Sequence, residues 1–169
     1  VKEMSREGLY LKILGFLYNE AEILDNERYE EWLSLLDEDF EYIIPVPETI
    51  KGKKLSYSQD SFFIKANKQK LSIMIKRLYN PTGWAFQDSA SKMRRIIGNV
   101  RIKEIKKNEI KVFSNIVLLR IEGVEGKYLI LSGEREDTLS LTGDEIKLKK
   151  RVVKLDSPNI LMHNLYFPL

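Results

Sequence analysis

The 169 residues are 43% hydrophobic and 31% charged, with a net charge of +3, no cysteine and one histidine. That length and balance describe a single domain, residues 1–169, with enough apolar material for a core of its own, and no run approaches the roughly 18 apolar residues of a membrane span. Zero cysteine excludes disulfides, zinc–thiolate sites and iron–sulfur ligation by this chain, and the lone His163 excludes a site built from two histidines and a carboxylate. The opening residues Val1 to Glu7 are charged and no apolar leader follows, so a cytoplasmic location is the expectation.

Residues 6–25 place Tyr10, Ile13, Leu14, Leu17, Ala21 and Leu24 at helical spacing, with Lys12, Asn19, Glu20 and Glu22 elsewhere, and predict one long helix. Asp25 or Asn26 can cap a second helix, Glu27 to Leu36, with Tyr29, Trp32, Leu33 and Leu36 as its apolar stripe. Phe40 to Ile44 then reads as a short strand, stopped by Pro45 and Pro47, which donate nothing to a ladder. Residues 48–60, rich in Lys, Gly and Ser, read as a loop. A third helix is expected from Asp60 or Ser61, carrying Ile64, Leu71, Met74, Ile75 and Leu78 and broken by Asn80-Pro81-Thr82-Gly83.

From Met93 the period becomes that of strands, over 93–106, 109–122, 127–140 and 145–156, with loops at Lys107-Asn108, Gly123–Gly126 and Leu141–Asp144. Ile160–Leu169 can add an edge segment. In 109–122 Ile110, Val112, Ile116 and Leu118 form one face, while Phe113, Val117 and Leu119 make the other apolar too, so both faces are expected to be covered. Three helices followed by an antiparallel meander is an α+β order. The basic stretch Lys92, Arg94, Arg95, Arg101, Lys103, Lys106 and Lys107 has no interleaved aromatic on which a base could stack, and reads as a solvated or partner-facing strand surface.

Glu134, Arg135, Glu136 and Asp137 place four charges in mid-strand, which requires pairing. A two-residue turn at Thr142-Gly143 would set Glu134 across from Arg151 and Glu136 across from Lys149. Structural pairing accounts for these charges, with a subunit contact through Arg135 and Asp137 as the alternative. Arg94 and Arg95 are neighbours on a strand and therefore point to opposite faces, so one can pair inside the sheet while the other meets a partner.

Three blocks of this sequence carry a family resemblance. The first is Phe16-Leu17-Tyr18, Glu20-Ala21, Leu24-Asp25, Tyr29, Trp32-Leu33, Leu35-Leu36, Asp39, Tyr42 and Pro45-Val46. The second is Lys76-Arg77-Leu78, Trp84-Ala85 and Asp88 to Val100, where Arg94, Arg95, Asn99 and Val100 match an arginine-rich run, although Lys92, Met93 and Ala90 depart from it. The third is Gly133 to Asp137, Arg151, Leu155-Asp156, His163-Asn164-Leu165 and Leu169. In this order and spacing the chain resembles the small (β) subunit of aromatic-ring-hydroxylating dioxygenases, within the nuclear-transport-factor-like (cystatin-like) superfamily.

The resemblance implies a cone-shaped cystatin-like fold, with N-terminal helices packed in a strongly curved, mainly antiparallel sheet. It implies a non-catalytic assembly subunit of an α3β3 complex that acts in aromatic compound catabolism. The α chains of such a complex carry a Rieske [2Fe–2S] cluster and a mononuclear iron, while the β chains form a trimeric base. This chain would then hold no cofactor, and Arg94, Arg95, Arg135 and Asp137 are its candidate interface residues. The runner-up is a stand-alone isomerase, dehydratase or hydrolase with the same cone, for which Tyr18, Tyr42, Asp39, Asp137 and His163 are the cavity candidates. A small-ligand-binding or dimerisation module is the third reading.

Overall fold

Ser5 starts the first helix, its hydroxyl accepting a hydrogen bond from the Gly8 N–H at 3.0 Å. The computed structural model describes residues 5–48, 54–78, 91–122, 126–157 and 168–169. Helix α1 (Arg6–Asp25) buries Leu9, Ile13, Leu17, Ala21 and Leu24, a stripe that repeats every three or four residues, and Asn26 closes it by donating to the Glu22 carbonyl. A single turn and a half follows as α2 (Tyr29–Ser34), shorter than the expected Glu27–Leu36 because Glu27 has a φ of +56° and Leu36 already belongs to a strand.

The first strand, β1 (Leu36–Glu48), runs through Pro45 and Pro47 instead of stopping before them. Its paired residues on β6 lie between Leu36 and Ile43, so further along it meets β2 alone, and its register against β2 shifts at both prolines. A missing N–H is tolerated there because the strand has become an edge.

The expected helix from Asp60 or Ser61 is a strand as far as Asn67: β2 (Ser56–Asn67) precedes α3 (Lys68–Leu78). Phe62, Phe63 and Ile64 suit a pleated surface, and burial of Ile64 and Ala66 follows the period of two. The N-cap of α3 is Asn67, whose side-chain oxygen accepts from the Lys70 N–H at 2.9 Å. The expected break at Asn80–Gly83 and most of the expected edge segment Ile160–Leu169 lie outside the described residues.

β3 (Lys92–Lys106), β4 (Glu109–Glu122), β5 (Lys127–Thr142) and β6 (Glu145–Leu155) form the meander that the strand periodicity predicts. The sheet order is β2-β1-β6-β5-β4-β3, with β1 and β6 parallel and every other pair antiparallel. The turn after β5 is Gly143-Asp144, one residue later than expected, with Gly143 supplying a φ of +61°. With a further register shift at Thr138/Leu139, Arg151 faces Asp137 and Lys154 faces Glu134, replacing the expected pairs Glu134–Arg151 and Glu136–Lys149.

The cone is also corrected. The chain folds as α+β, but among the described residues the sheet is an open six-stranded one and is not strongly curved around the helices. Its outer strands are β2 and β3, and α1 occupies the free edge of β3: the Asp25 carboxylate accepts from the Arg95 N–H, and Tyr10 Oη donates to the Val100 carbonyl. Side-chain contacts at Arg95 and Val100 compete with any further ladder at this stretch of the edge.

A close approach in the β5–β6 ladder gives a first prediction. A Cβ built on Gly133 would lie 2.5 Å from the Lys154 carbonyl oxygen, a backbone atom that cannot swing aside. Gly133→Ala will therefore lower stability by about 1–3 kcal/mol, by the overpacking penalty, in urea unfolding.

Candidate functional site

Inside the core, five elements bring one acidic and basic cluster together. Glu20 comes from α1, Trp32 from α2, Arg135 and Asp137 from β5, Arg151 from β6, and Ser114 from β4; all are buried. Glu20 sits three residues after Leu17 and four before Leu24, which puts a carboxylate on the apolar face of α1. That position was the available signal for a residue that composition and strand patterning pass over.

Arg151 uses all five of its donor positions. Its Nε donates to Asp137 Oδ1 at 2.8 Å, Nη2 to Asp137 Oδ2 at 2.9 Å and to Glu20 Oε2 at 2.7 Å, and Nη1 to Glu20 Oε1 at 2.8 Å and to the Leu169 main-chain oxygen at 3.0 Å. Trp32 Nε1 donates to Glu20 Oε1 at 2.9 Å, and its ring meets Phe40 edge-on at a centroid distance of 6.3 Å. Arg135 is looser, 3.7 Å from Glu20 and 3.5 Å from Asp137, with its Nε donating to Ser114 Oγ at 3.3 Å. Two carboxylates and two guanidiniums balance, which is the condition for holding charge in a dry interior.

The ionisation of the cluster follows. Burial pushes the Glu20 carboxyl up, but the charges of Arg151 and Arg135 and the bonds from Arg151 and Trp32 outweigh it, leaving Glu20 below its ordinary 4.5. Burial alone would lower Arg151, and Asp137 and Glu20 instead hold it above its usual value. Arg135 lies below its usual value through burial and the like charge of Arg151. Burial pushes the Tyr42 hydroxyl up to about 12. Because the folded value of Glu20 is depressed, its stabilisation is present above the unfolded value of 4.5 and disappears as pH falls through the folded one. Urea midpoints will fall as pH is lowered below about 4.5, and Glu20→Gln, itself less stable at neutral pH, will show a smaller acid slope.

A second polar group adjoins the first. Arg95 is buried, with Nη1 on Asp25 at 2.9 Å and with Nε and Nη2 donating to the Pro168 carbonyl at 3.1 and 2.7 Å. Tyr42, stacked on Phe40, accepts the Leu169 N–H at 3.0 Å. Of the four interface candidates, Arg95, Arg135 and Asp137 are thus enclosed by their own chain, and Arg94 alone is exposed, its side chain at 66%. The cavity candidates are not assembled: Tyr18 and Asp39 are at the surface, Tyr42 and Asp137 are in the core, and His163 lies outside the described residues. No group of three or more His, Asp or Glu among the described residues could hold a metal.

On the opposite face of the sheet, where both faces of 109–122 are expected to be covered, no described residue of this chain supplies the cover. Cross-strand rows there read Ile96–Val117–Ser132, Arg94–Leu119–Ile130 and Lys92–Ile121–Tyr128. Ile96 is 62% exposed, and Tyr128 and Ile130 are each 71% exposed. Further along the strands, and across to β6, the same face turns polar, with Arg101–Glu134, Lys149–Glu109 and Lys154–Glu136 pairs. The result is an apolar strip with Arg94 and Lys92 at its margin, a composition suited to a partner and not to solvent.

Residues 19–162 match the family model described as the ring hydroxylating beta subunit. The chain is 32% identical over 151 residues to the N,N-dimethyl phenylurea N-demethylase subunit beta of a Sphingobium species, covering 89% of this chain and 85% of that protein. It is 30% identical over 166 residues to the biphenyl 2,3-dioxygenase subunit beta of Rhodococcus jostii, covering 95% and 88%. Among solved structures it resembles naphthalene 1,2-dioxygenase with indole bound in the active site, with a TM-score of 0.82, 22% identity and coverage of 99% and 89%. A putative scytalone dehydratase of Novosphingobium aromaticivorans shares the fold at a TM-score of 0.67 and 17% identity, over 92% of this chain and 89% of that one.

Proposed function

The chain belongs to the ring hydroxylating β-subunit family, and from that membership we propose that it is the non-catalytic assembly subunit of a Rieske-type oxygenase acting on aromatic compounds. The observation that carries this reading is the family match over 19–162 in a chain with no cysteine and one histidine. A Rieske cluster needs two cysteines and two histidines, so these residues do not fit it, and both iron centres belong on an α chain. The buried carboxylates and arginines are spent on each other, which supports a structural task for them. A cytoplasmic setting goes with the reading.

In this proposal the apolar strip on β3, β4 and β5 is covered by other chains in an α3β3 assembly, with Arg94 as a rim contact. Both a demethylase and a ring dioxygenase have a subunit of this family. The choice of reaction and of aromatic substrate is therefore assigned to the α chain.

The test is coexpression with a Rieske-type α chain encoded beside this one. The expected result is a stable complex in which the iron follows the α chain, while the isolated β chain contains less than about 0.1 metal per chain, since it has neither thiolate nor a second imidazole. Stoichiometric iron or zinc on the β chain alone, or an α chain fully active and correctly assembled without it, would overturn the reading.

A further inference from the structure

Pro168 and Leu169 are held more like a bound ligand than like an ordinary packed segment. Their two main-chain oxygens take three bonds from Arg95 and Arg151, the Leu169 N–H goes to Tyr42 Oη, and both residues are buried. Leu169 is enclosed in the common core cluster. Pro168 brings no N–H of its own, so every polar main-chain atom named here has a partner.

The groups that hold these two residues are fixed independently of them. Arg95 keeps its Nη1 and its own N–H on Asp25, Arg151 keeps four bonds to Glu20 and Asp137, and Tyr42 stays stacked on Phe40. Removing residues 168–169 would therefore leave Arg95 Nε and Nη2 and one acceptor on Tyr42 facing a leucine-sized space already in binding geometry. Donors enclosed without partners are costly, and a site that needs no rearrangement binds at little entropic cost.

We propose that Arg95, Arg151 and Tyr42 form a peptide-binding socket, filled in this structure by the chain's own Pro168–Leu169 segment and able to take the same sequence from a separate peptide. The recognised chemistry is a Pro-Leu main chain: two oxygens for two arginines, one N–H for a phenolic oxygen, no N–H at the first residue and an aliphatic side chain at the second. This is independent of which partner covers the outer sheet face.

The experiment uses a variant ending at residue 167 and the N-acetylated peptide Phe-Pro-Leu. The variant is expected to melt at least about 5 °C below the full chain, and saturating peptide to recover at least half of that loss. Introducing Tyr42→Phe should weaken the peptide about tenfold, and a Phe-Ala-Leu peptide, which carries an extra N–H into the socket, should also bind more weakly. An unchanged melting temperature in the variant, or no recovery with peptide, would overturn the proposal. Should the variant fail to fold, the full chain is cut at a protease site placed between Ser157 and Pro168. Retention of the released segment on gel filtration, and its displacement by Phe-Pro-Leu, supports the socket. Loss of the segment from an otherwise intact fold rejects it.

Discussion

Arg151→Met will destabilise the folded chain by about 3–5 kcal/mol, the typical effect of deleting one partner from a buried ion pair. Arg151 spends five donor contacts on Glu20, Asp137 and Leu169. Without it, the two buried carboxylates keep Arg135, at 3.7 and 3.5 Å, and Glu20 keeps the Trp32 Nε1–H. Methionine fills part of the volume, so the loss is electrostatic more than a cavity effect. In a domain of this size it corresponds to a fall in melting temperature of about 2–4 °C per kcal/mol. Adding Glu20→Gln to the same chain should cost less than the sum of the two single replacements, because each removes the charge that the other leaves unpaired. A single-variant loss under about 1 kcal/mol in urea unfolding would show that water reaches the cluster.

Ile130→Asp will weaken assembly about a hundredfold or more and leave the isolated subunit within about 0.5 kcal/mol of its original stability. Ile130 is 71% exposed in the single chain, beside Leu119 and in the same row as Arg94. A carboxylate there is solvated in the free subunit but loses its water when an apolar partner surface closes over it. Sedimentation and copurification with the α chain read the assembly, and urea unfolding reads the fold. Normal assembly by both Ile130→Asp and Leu119→Asp would remove this face from the proposed interface.

The four strands of the meander were legible in the sequence because each is long and marked at both ends, for example by Lys107-Asn108 between β3 and β4. The first helix was equally plain, since its stripe persists over 20 residues. Residues 60–67 were misread because Ile64 falls in line with Leu71 and Ile75 at helical spacing while also fitting a strand that buries Ile64 and Ala66. A short apolar run satisfies both periods. The β5–β6 pairing was misplaced because the turn lies one residue later and a register shift at Thr138/Leu139 is invisible in a single strand.

By itself, the sequence determined the α+β order, the absence of thiolates for a cluster and, through three short blocks, the family. These depend on local periodicity and on residue type, which are complete in one dimension. Only the tertiary structure decided that the sheet stays open, that Arg95, Arg135 and Asp137 turn inward while Arg94 faces out, and that Glu20 joins Arg151 across 131 positions of sequence. A buried charge is acceptable only where its partners converge, and that convergence is set by strand register and helix placement, which no local stretch of the chain encodes.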